Sequence, residues 1–274
     1  MDSIVQQGND GAFTLLGVAP GDYLLHARAS TAGARTTGED EFASVAVTVA
    51  DADVAGLDLL TVKGATLKGH VRTDRDQPLP FDASHMTVVS TPSGDDIGLG
   101  KLNTSPVSLE GSFELTGVFG ERVFSLQGLP VGWQLKSVRM RGKDVIDTPS
   151  EFRGADDVAD LRFVVTDRLT ELTGTVVDGE GRPVEDCTLL VFADDSQKWM
   201  LPSRYVRVER AGRGGRFAAR GLPPGQYLMI AVGYLRQADA QDPQFLESVR
   251  PEATLVAVGE GESKAVRLTL SARP

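Results

Sequence analysis

The chain has few of the residue types that build metal or nucleophilic sites. Its three histidines are His26, His70 and His85, and its one cysteine is Cys187. A zinc peptidase needs a His-x-x-Glu pair and a distant third ligand, and no histidine here is followed by glutamate at that spacing. We therefore predict no peptidase activity and place the histidines at ordinary strand or loop positions.

Nucleophilic and phosphate-binding motifs do not appear either. Cys187 lies in an apolar run with no histidine nearby, which predicts a small buried hydrophobic side chain rather than a catalytic thiol. There is no Gly-x-Ser-x-Gly elbow. Lys143 lacks the upstream glycine of a phosphate loop, and the segment from Gly259 to Lys264 carries two glutamates that would repel phosphate. The sequence predicts no catalytic residue and no cofactor.

Several acidic turns offer oxygen atoms that calcium could use. None has the spacing of a calcium-binding loop, so we predict no metal site. A pair of carboxylates for glycoside hydrolysis is defined in space, not in sequence, and stays open. The acidic turns are Asn9-Asp10, Asp51 with Asp53, Asp95-Asp96, Asp156-Asp157 and Asp194-Asp195.

Aromatic side chains in the last third of the chain are the candidate ligand-binding residues. Trp199, Tyr205 and Tyr234 lie in or beside predicted loops, where exposed rings could stack on sugars. The alternative is that these rings are partly buried against loops or a neighbouring domain. A nearby basic run is interrupted by Glu209 and by strand alternation, which favours a solvated, salt-bridged face. Its arginines are Arg204, Arg207, Arg210, Arg213, Arg216 and Arg220.

One stretch occurs three times and organises the elements that carry these residues. The complete form runs from Gly215 to Ile230, a second copy begins at Gly11, and a middle copy at Gly111 loses its Pro-Gly pair. The spacing between copies, 100 and 104 residues from phenylalanine to phenylalanine, is about one small domain. The motif residues are Phe13, Pro20, Gly21, Tyr23, Phe113, Gly174, Phe217, Pro224, Gly225 and Tyr227.

Within each copy, alternation and turn residues predict a hairpin. Phe217 and Ala219 alternate with polar residues, and Tyr227, Met229 and Ala231 do so again after Pro224-Gly225. Proline presets the second position of a type II turn, and glycine accepts the positive φ at the third. We expect two antiparallel strands that need further strands to bury their apolar face.

Composition and charge fit a chain of all-β domains. Thirty glycines and 14 prolines among 274 residues, with no long segment of helical periodicity, predict short strands and many turns. The net charge of −10 predicts no nucleic-acid partner and no docking on anionic membranes. No run of 18 apolar residues occurs, so we expect no membrane insertion. The repeat spacing predicts domains at 1–63, 64–168 and 169–274.

The first domain is expected to be truncated at its N-terminus. Gly69 and Gly174 mark an opening strand that precedes Phe113 and Phe217 by 44 and 43 residues, whereas only 12 residues precede Phe13. We therefore expect the first repeat to lack about 30 residues that the other two have. We expect the chain to be a piece of a longer repeat protein. The start has no signal-peptide pattern, which carries little weight if residues are missing.

The complete motif resembles the carboxypeptidase regulatory-like repeat of bacterial proteins. The resemblance rests on Gly174-x-Val176-x-Asp178-x-x-Gly181-x-Pro183-Val184, on Gly215-x-Phe217, and on the stretch from Gly221 to Tyr227. It implies tandem transthyretin-like or Ig-like seven-stranded β-sandwich domains, grouped with carbohydrate-binding-like folds. It also implies an extracellular, periplasmic or cell-surface location, since such modules occur in secreted and surface proteins. The family's motif residues are turn and core residues, and none is catalytic.

The function that the sequence favours is a non-catalytic structural or binding repeat segment of an exported or cell-surface bacterial protein. One alternative is a carbohydrate-binding module, which rests on fold analogy. Another is an accessory region of a larger enzyme or outer-membrane transporter. The partner is unknown, with polysaccharide or another surface protein as the candidates.

The motif also predicts a measurable stability change. Replacing Phe217 with alanine should lower the free energy of unfolding by about 3–5 kcal/mol, as truncation of a buried aromatic ring does. Urea unfolding tests this, and an unchanged midpoint would show that Phe217 lies outside the core.

Overall fold

The computed structural model describes residues 4–7 (backbone only), 11–29, 40–94, 102–154, 156–199, 203–236 and 238–272. In this part of the chain strands dominate, joined by turns and one short α-helix. The chain divides into two units, which are described separately. The first consists of 1–72, 76–128 and 137–163, and the second of 73–75, 129–136 and 164–274.

The described strands fall into three sets along the chain. The first set is β1 (Ile4–Gln7), β2 (Phe13–Leu16), β3 (Gly21–Ala29), β4 (Glu41–Val49) and β5 (Val62–Lys63). The second is β6 (Ala65–Thr73), β7 (Thr87–Pro92), β8 (Asn103–Pro106), β9 (Ser112–Val118), β10 (Gly120–Gln127), β11 (Gln134–Met140), β12 (Lys143–Asp144), β13 (Ser150–Phe152) and β14 (Val158–Thr166). The third is β15 (Glu171–Val177), β16 (Thr188–Ala193), β17 (Val206–Arg210), β18 (Arg216–Arg220), β19 (Gly225–Val232), β20 (Thr254–Val258) and β21 (Ser263–Thr269), with the helix α1 (Pro243–Val249) between β19 and β20.

The third set forms a seven-stranded sandwich, as the resemblance of the motif implies. Its sheets have the strand orders β18-β15-β21 and β17-β16-β19-β20. One continuous core joins them, with Leu172 and Leu268 from the first sheet and Leu189 and Met229 from the second. Every residue of β16 is buried, as expected for a central strand covered on both faces.

The second set forms two larger sheets. Their strand orders are β13-β10-β7-β8 and β12-β11-β14-β6-β9, so this set has nine strands where the sequence predicts seven. The additional short strands include β12 and β13. The ring of Phe124 on β10 meets that of Phe163 on β14 edge-to-face, with centroids 6.3 Å apart, and so packs one sheet on the other.

The first set is smaller, with the sheets β1-β2 and β3-β4-β5. Its apolar run from Leu57 to Val62 predicts a strand from the sequence. Only Val62 and Lys63 pair, and Leu60 is 83% exposed. The prediction is wrong for most of the run, because no strand of the described residues pairs with it. Phe42 of β4 instead stacks on Phe119, with ring centroids 5.1 Å apart.

The predicted hairpin is wrong in all three copies of the motif. β18 pairs with β15, whereas β19 pairs with β16 and β20 in the opposite sheet. β9 and β10, and likewise β2 and β3, also belong to different sheets. The motif is thus a corner at which the chain crosses from one sheet of the sandwich to the other. A crossing and a hairpin share the same local alternation, and only the partner strands distinguish them.

The predicted type II turn at Pro-Gly is also not formed. The left-handed residue lies earlier, at Gly221 with a φ of 73°, directly after β18. Gly17 and Gly117 hold the same place, with φ values of 74° and 68°. Glycine takes this conformation without the cost that a Cβ atom imposes. The backbone therefore adopts a left-handed conformation at one glycine near the end of each of these strands.

A hydroxyl group closes the corner in two copies. The side chain of Tyr227 is fully buried, and its hydroxyl donates to the Pro223 carbonyl at 2.6 Å. Tyr23 donates to the Ala19 carbonyl at 2.7 Å, although its side chain is 41% exposed. Both bonds span four residues, the pattern of a tyrosine corner in β-sandwiches.

In the middle copy an arginine replaces this tyrosine. Arg122 lies two residues after Gly120, the first residue of β10, just as Tyr227 follows Gly225. Its side chain is fully buried, and its Nε donates to the Phe119 carbonyl at 2.6 Å. A guanidinium group thus closes the corner that lost its Pro-Gly pair.

A glycine beneath the motif phenylalanine repeats as well. Gly174 pairs with Phe217 across β15 and β18, and Gly69 pairs with Phe113 across β6 and β9. A Cβ atom at Gly174 would lie 2.6 Å from the Phe217 ring, and at Gly69 it would lie 2.6 Å from the Phe113 ring. The phenylalanine rings therefore occupy the space that these glycines leave free.

The first and last strands of the third set are neighbours. β15 and β21 run parallel, with seven paired positions from Glu171↔Ser263 to Val177↔Thr269. In the first unit β6 and β14 are also adjacent. Their direction follows from two contacts: the Thr66 amide donates to Asp157, and Gly69 approaches the carbonyl of Leu161. Both residue numbers rise together, so this pair is parallel too.

The buried corner bond predicts unequal costs for two identical substitutions. Tyr227→Phe should lower the free energy of unfolding by about 1–3 kcal/mol, because the Pro223 carbonyl loses its donor in a buried site. Tyr23→Phe should cost less than about 1 kcal/mol, since water reaches the exposed Tyr23 corner. Urea unfolding followed by circular dichroism measures both. Equal losses would show that burial does not set the value of this bond.

Candidate binding groove

A shallow groove lies on the third set of strands. It has a volume of about 490 Å³ and is open to solvent. Apolar side chains form most of it, with a few polar groups among them. Its lining is Thr188, Ser203, Val206, Val208, Arg210, Tyr234, Leu235, Ala240 and Gln241.

Strand alternation places three of these residues side by side. Val206, Val208 and Arg210 occupy every second position of β17 and therefore face the same side of the sheet. Thr188 of β16 pairs directly with Arg210 and lines the groove beside it. Val208 is 47% exposed.

The opposite wall comes from the segment between β19 and α1. This segment is held by α1, whose Leu246 and Val249 are buried in the core. The helix begins with Pro243, and the side chain of Asp242 caps it by accepting from the Gln244 amide at 2.9 Å. These contacts fix the chain that carries Tyr234 into the groove.

The three aromatic residues predicted from the sequence have different environments. Trp199 is 3% exposed, donates from its indole nitrogen to the Ala193 carbonyl at 2.7 Å, and meets Phe192 edge-to-face. Trp199 therefore lies in the core and offers no surface for a ligand.

Tyr205 and Tyr234 differ from Trp199 and from each other. The Tyr205 ring is half-buried, with Lys198 Nζ 5.2 Å and Arg204 Cζ 5.3 Å from its centroid. Two cations thus already contact this ring. Tyr234 is 69% exposed and lines the groove. Of the predicted aromatic residues, Tyr234 alone presents an open ring.

The basic run is only partly neutralised. Arg220 pairs with Glu171 at 2.6 Å, as the salt-bridged interpretation predicts. Arg210, Arg213 and Arg216 are exposed and have no carboxylate oxygen within 4.0 Å in the described part of the chain. Of these three, Arg210 is the one that lines the groove.

The acidic turns mostly serve local structure. Asp194 pairs with Arg250 at 2.7 Å, and Asp195 accepts from the Gln197 amide. Asp156 accepts from the amide of Arg153 at 2.9 Å. Within the described ranges no group of three or more His, Cys, Asp or Glu residues could hold a metal ion. The turns Asn9-Asp10 and Asp95-Asp96 lie outside the described residues.

Cys187 is buried, as the apolar run around it predicts. Desolvation raises the pKa of its thiol, and the nearby charge of Asp186 raises it further. A thiol with a raised pKa is a weak nucleophile at neutral pH.

A cluster of four charges in the second unit was not anticipated from the sequence. Arg168 Nη2 lies 2.7 Å from Asp74 and 3.0 Å from Glu260, and Lys136 Nζ lies 2.6 Å from Glu260 and 3.7 Å from Asp74. Opposite charges alternate around this ring. Its four members are distant from one another in the sequence, so no local pattern could have revealed it.

The burial of Asp74 and the interactions with its partners shift the pKa of its carboxyl group in opposite directions. Its side chain is 3% exposed, and this desolvation alone would raise the pKa of the carboxyl group. Hydrogen bonds from Arg168 and Thr166 and the nearby charges outweigh that effect, so the pKa of Asp74 is lowered.

No protein-family model matches the chain, and no curated protein matches it. Among solved structures, the Bacillus anthracis TIE protein is 14% identical with a TM-score of 0.28, over 97% of this chain and 44% of that chain. A streptococcal ancillary pilin is 14% identical with a TM-score of 0.32, over 96% and 79% of the two chains. A minor pilin of Streptococcus agalactiae is 10% identical with a TM-score of 0.31, over 77% and 97%. The chain spans less than half the length of the first of these proteins. Its resemblance to the carboxypeptidase regulatory-like repeat stays a prediction.

Among the described residues, no helix combines the length and the apolar character that crossing a membrane requires.

The lowered pKa of Asp74 predicts how stability depends on pH. A carboxyl group whose pKa is lower in the folded state stabilises the fold above its unfolded pKa, about 3.9. That contribution is lost as the pH falls through the folded pKa. Asp74→Asn should therefore destabilise the second unit at pH 7 and approach the wild-type stability in strong acid.

Unfolding followed by tryptophan fluorescence measures this, because Trp133 and Trp199 both lie in the second unit. Asp160→Asn is the control, since Asp160 pairs with Arg162 on the surface and is 70% exposed. A stability difference between Asp74→Asn and wild type that does not change with pH would contradict the prediction.

Proposed function

We propose that the chain is a non-catalytic structural segment that bears tension in an exported or cell-surface protein built from sandwich repeats. The observation that carries this proposal is the parallel pairing of the first and last strands of the third set. The exported location rests on the resemblance of the motif to repeats of secreted and surface proteins.

Parallel terminal strands resist a pull on the chain ends. Tension enters β15 at Glu171 and leaves β21 at Thr269, which are opposite ends of a parallel pair. The two strands are then pulled in opposite directions along their axes. Seven paired positions carry the load together, so their hydrogen bonds must break nearly at once. Forced unfolding is governed by this kinetic barrier rather than by equilibrium stability.

The second set of strands supports the same role. β6 and β14 are its first and last strands, and they are parallel neighbours. A segment in which each repeat closes on its own terminal strands can pass tension from one repeat to the next. The division into repeats at 1–63, 64–168 and 169–274 belongs to this proposal.

The thrice-repeated motif also favours a structural role. Phe217, Tyr227 and Gly221 are committed to the core and the corner. What the chain repeats is therefore a folding device and not a set of chemically reactive groups.

Other assignments have less support. Carbohydrate binding through an aromatic platform is weakened because Trp199 is buried and Lys198 and Arg204 flank the Tyr205 ring. An accessory role beside an enzyme or transporter would be compatible with load bearing. Finding the coding sequence that continues beyond this segment would identify such a neighbour.

Single-molecule force spectroscopy on the full chain tests load bearing. One variant carries Glu171→Cys and Thr269→Cys, so that attached handles pull β15 and β21 along their axes. The matched variant carries Glu171→Cys and Ser263→Cys, so that the handles separate the same strands one pair at a time. The buried Cys187 is common to both.

We expect the first geometry to need a clearly higher unfolding force than the second, because it loads all seven paired positions together. Equal forces in the two geometries would contradict the tension-bearing role.

A further inference from the structure

Among the described residues, β17 is an edge strand of the sheet β17-β16-β19-β20. Two hydrogen bonds fix which of its backbone groups face β16: Ala211 N donates to Cys187 O at 2.9 Å, and Ala193 N donates to Tyr205 O at 3.2 Å. In an antiparallel ladder every second residue bonds to the neighbouring strand. The backbone N–H and C=O groups of Val206, Val208 and Arg210 therefore point away from β16, toward the open edge.

The same three residues line the groove with their side chains. The outward backbone groups and the groove are thus adjacent along the whole strand. An added strand would find hydrogen-bonding groups at the edge and apolar contacts with Val206 and Val208. Strand addition of this kind takes affinity from backbone hydrogen bonds and specificity from alternate side chains.

Charge at this edge indicates what the added strand carries. Arg210 lies in the groove without a carboxylate partner in the described part of the chain. Arg207 extends to the edge, where its Nη1 donates to the Val206 carbonyl at 3.2 Å. Glu209 lies between them on β17, and its charge interacts with that of Arg207. Arg210 is therefore the guanidinium group of this edge that a glutamate or aspartate of the added strand complements.

We propose that the edge of β17 and the groove beside it bind an extended acidic peptide segment of another protein as an additional strand. Backbone groups of Val208 and Arg210 pair with the peptide, Arg210 binds a carboxylate, and Tyr234 covers an apolar side chain. This inference is independent of the proposed tension-bearing role.

Three synthetic peptides test the assignment against the full chain by isothermal titration calorimetry. The first peptide has alternating threonine and valine residues and contains two glutamates. The second has lysine in place of both glutamates. The third has the sequence of the first, with every second backbone nitrogen methylated. We expect saturable binding of the first. The lysine peptide should bind at least about tenfold more weakly, which corresponds to 1.4 kcal/mol. The methylated peptide should not bind, because it cannot extend the ladder.

Variants of the protein locate the site. Arg210→Glu should weaken the glutamate peptide by about tenfold or more. Arg216→Glu is the matched control, because Arg216 is exposed, has no carboxylate within 4.0 Å among the described residues and lies outside the groove lining. Val208→Pro removes an outward N–H without touching the ladder to β16 and should abolish binding.

Amide hydrogen exchange provides a measurement that does not depend on a variant. The amides of Val208 and Arg210 should gain protection when the glutamate peptide is added. No binding, equal binding of all three peptides, or equal effects of Arg210→Glu and Arg216→Glu would overturn the proposal. Self-association of the chain through the same edge would also overturn it; this would be seen in sedimentation as a dimer that Val208→Pro abolishes. Saturable binding of a polysaccharide in the groove would overturn it as well.

Discussion

The chain must cross from one sheet of a sandwich to the other within a few residues, and the rest of each repeat is arranged around that crossing. The left-handed Gly221 turns the backbone out of β18, and the Tyr227 hydroxyl satisfies a carbonyl on the far side. A buried carbonyl without a donor costs more than the hydrogen bond itself contributes. The crossing therefore ties the geometry of the corner to the packing of the core, because Phe217 and Tyr227 are buried on its two sides.

The three copies solve this problem with different chemistry. The second unit uses a buried tyrosine, and the beginning of the chain uses a tyrosine that water still reaches. The middle copy uses the guanidinium group of Arg122, whose side chain is fully buried. A charged group in such a place is tolerated only when hydrogen bonds compensate its desolvation. The corner thus depends on a donor at one position, whereas the residue type that supplies the donor is free to change.

Much of the fold could be predicted from the sequence, because repetition and alternation are properties of the local chain. The all-β class and the burial of Cys187 follow from that information, whereas the seven strands of the third set were implied by the resemblance of the motif to a known repeat. The pairing of strands does not: β18 and β19 look like a hairpin until β15 and β16 are known to be their partners. The groove was missed for a similar reason. The sequence of β17 has the alternation of an ordinary strand, with Val206, Val208 and Arg210 on one side. Only the order of the strands in the sheet shows that β17 lies at an edge.

The pair of left-handed glycines has a consequence for recognising such repeats. Gly11, Gly111 and Gly215 stand two residues before the motif phenylalanine, and a second glycine stands four residues after it, all with positive φ. Tyrosine and the Pro-Gly pair vary among the same copies. A search profile weighted toward the tyrosine and the Pro-Gly pair would therefore count two repeats in this chain. A profile based on the two positions with left-handed backbone would count three. It would also detect relatives whose side chains have diverged further.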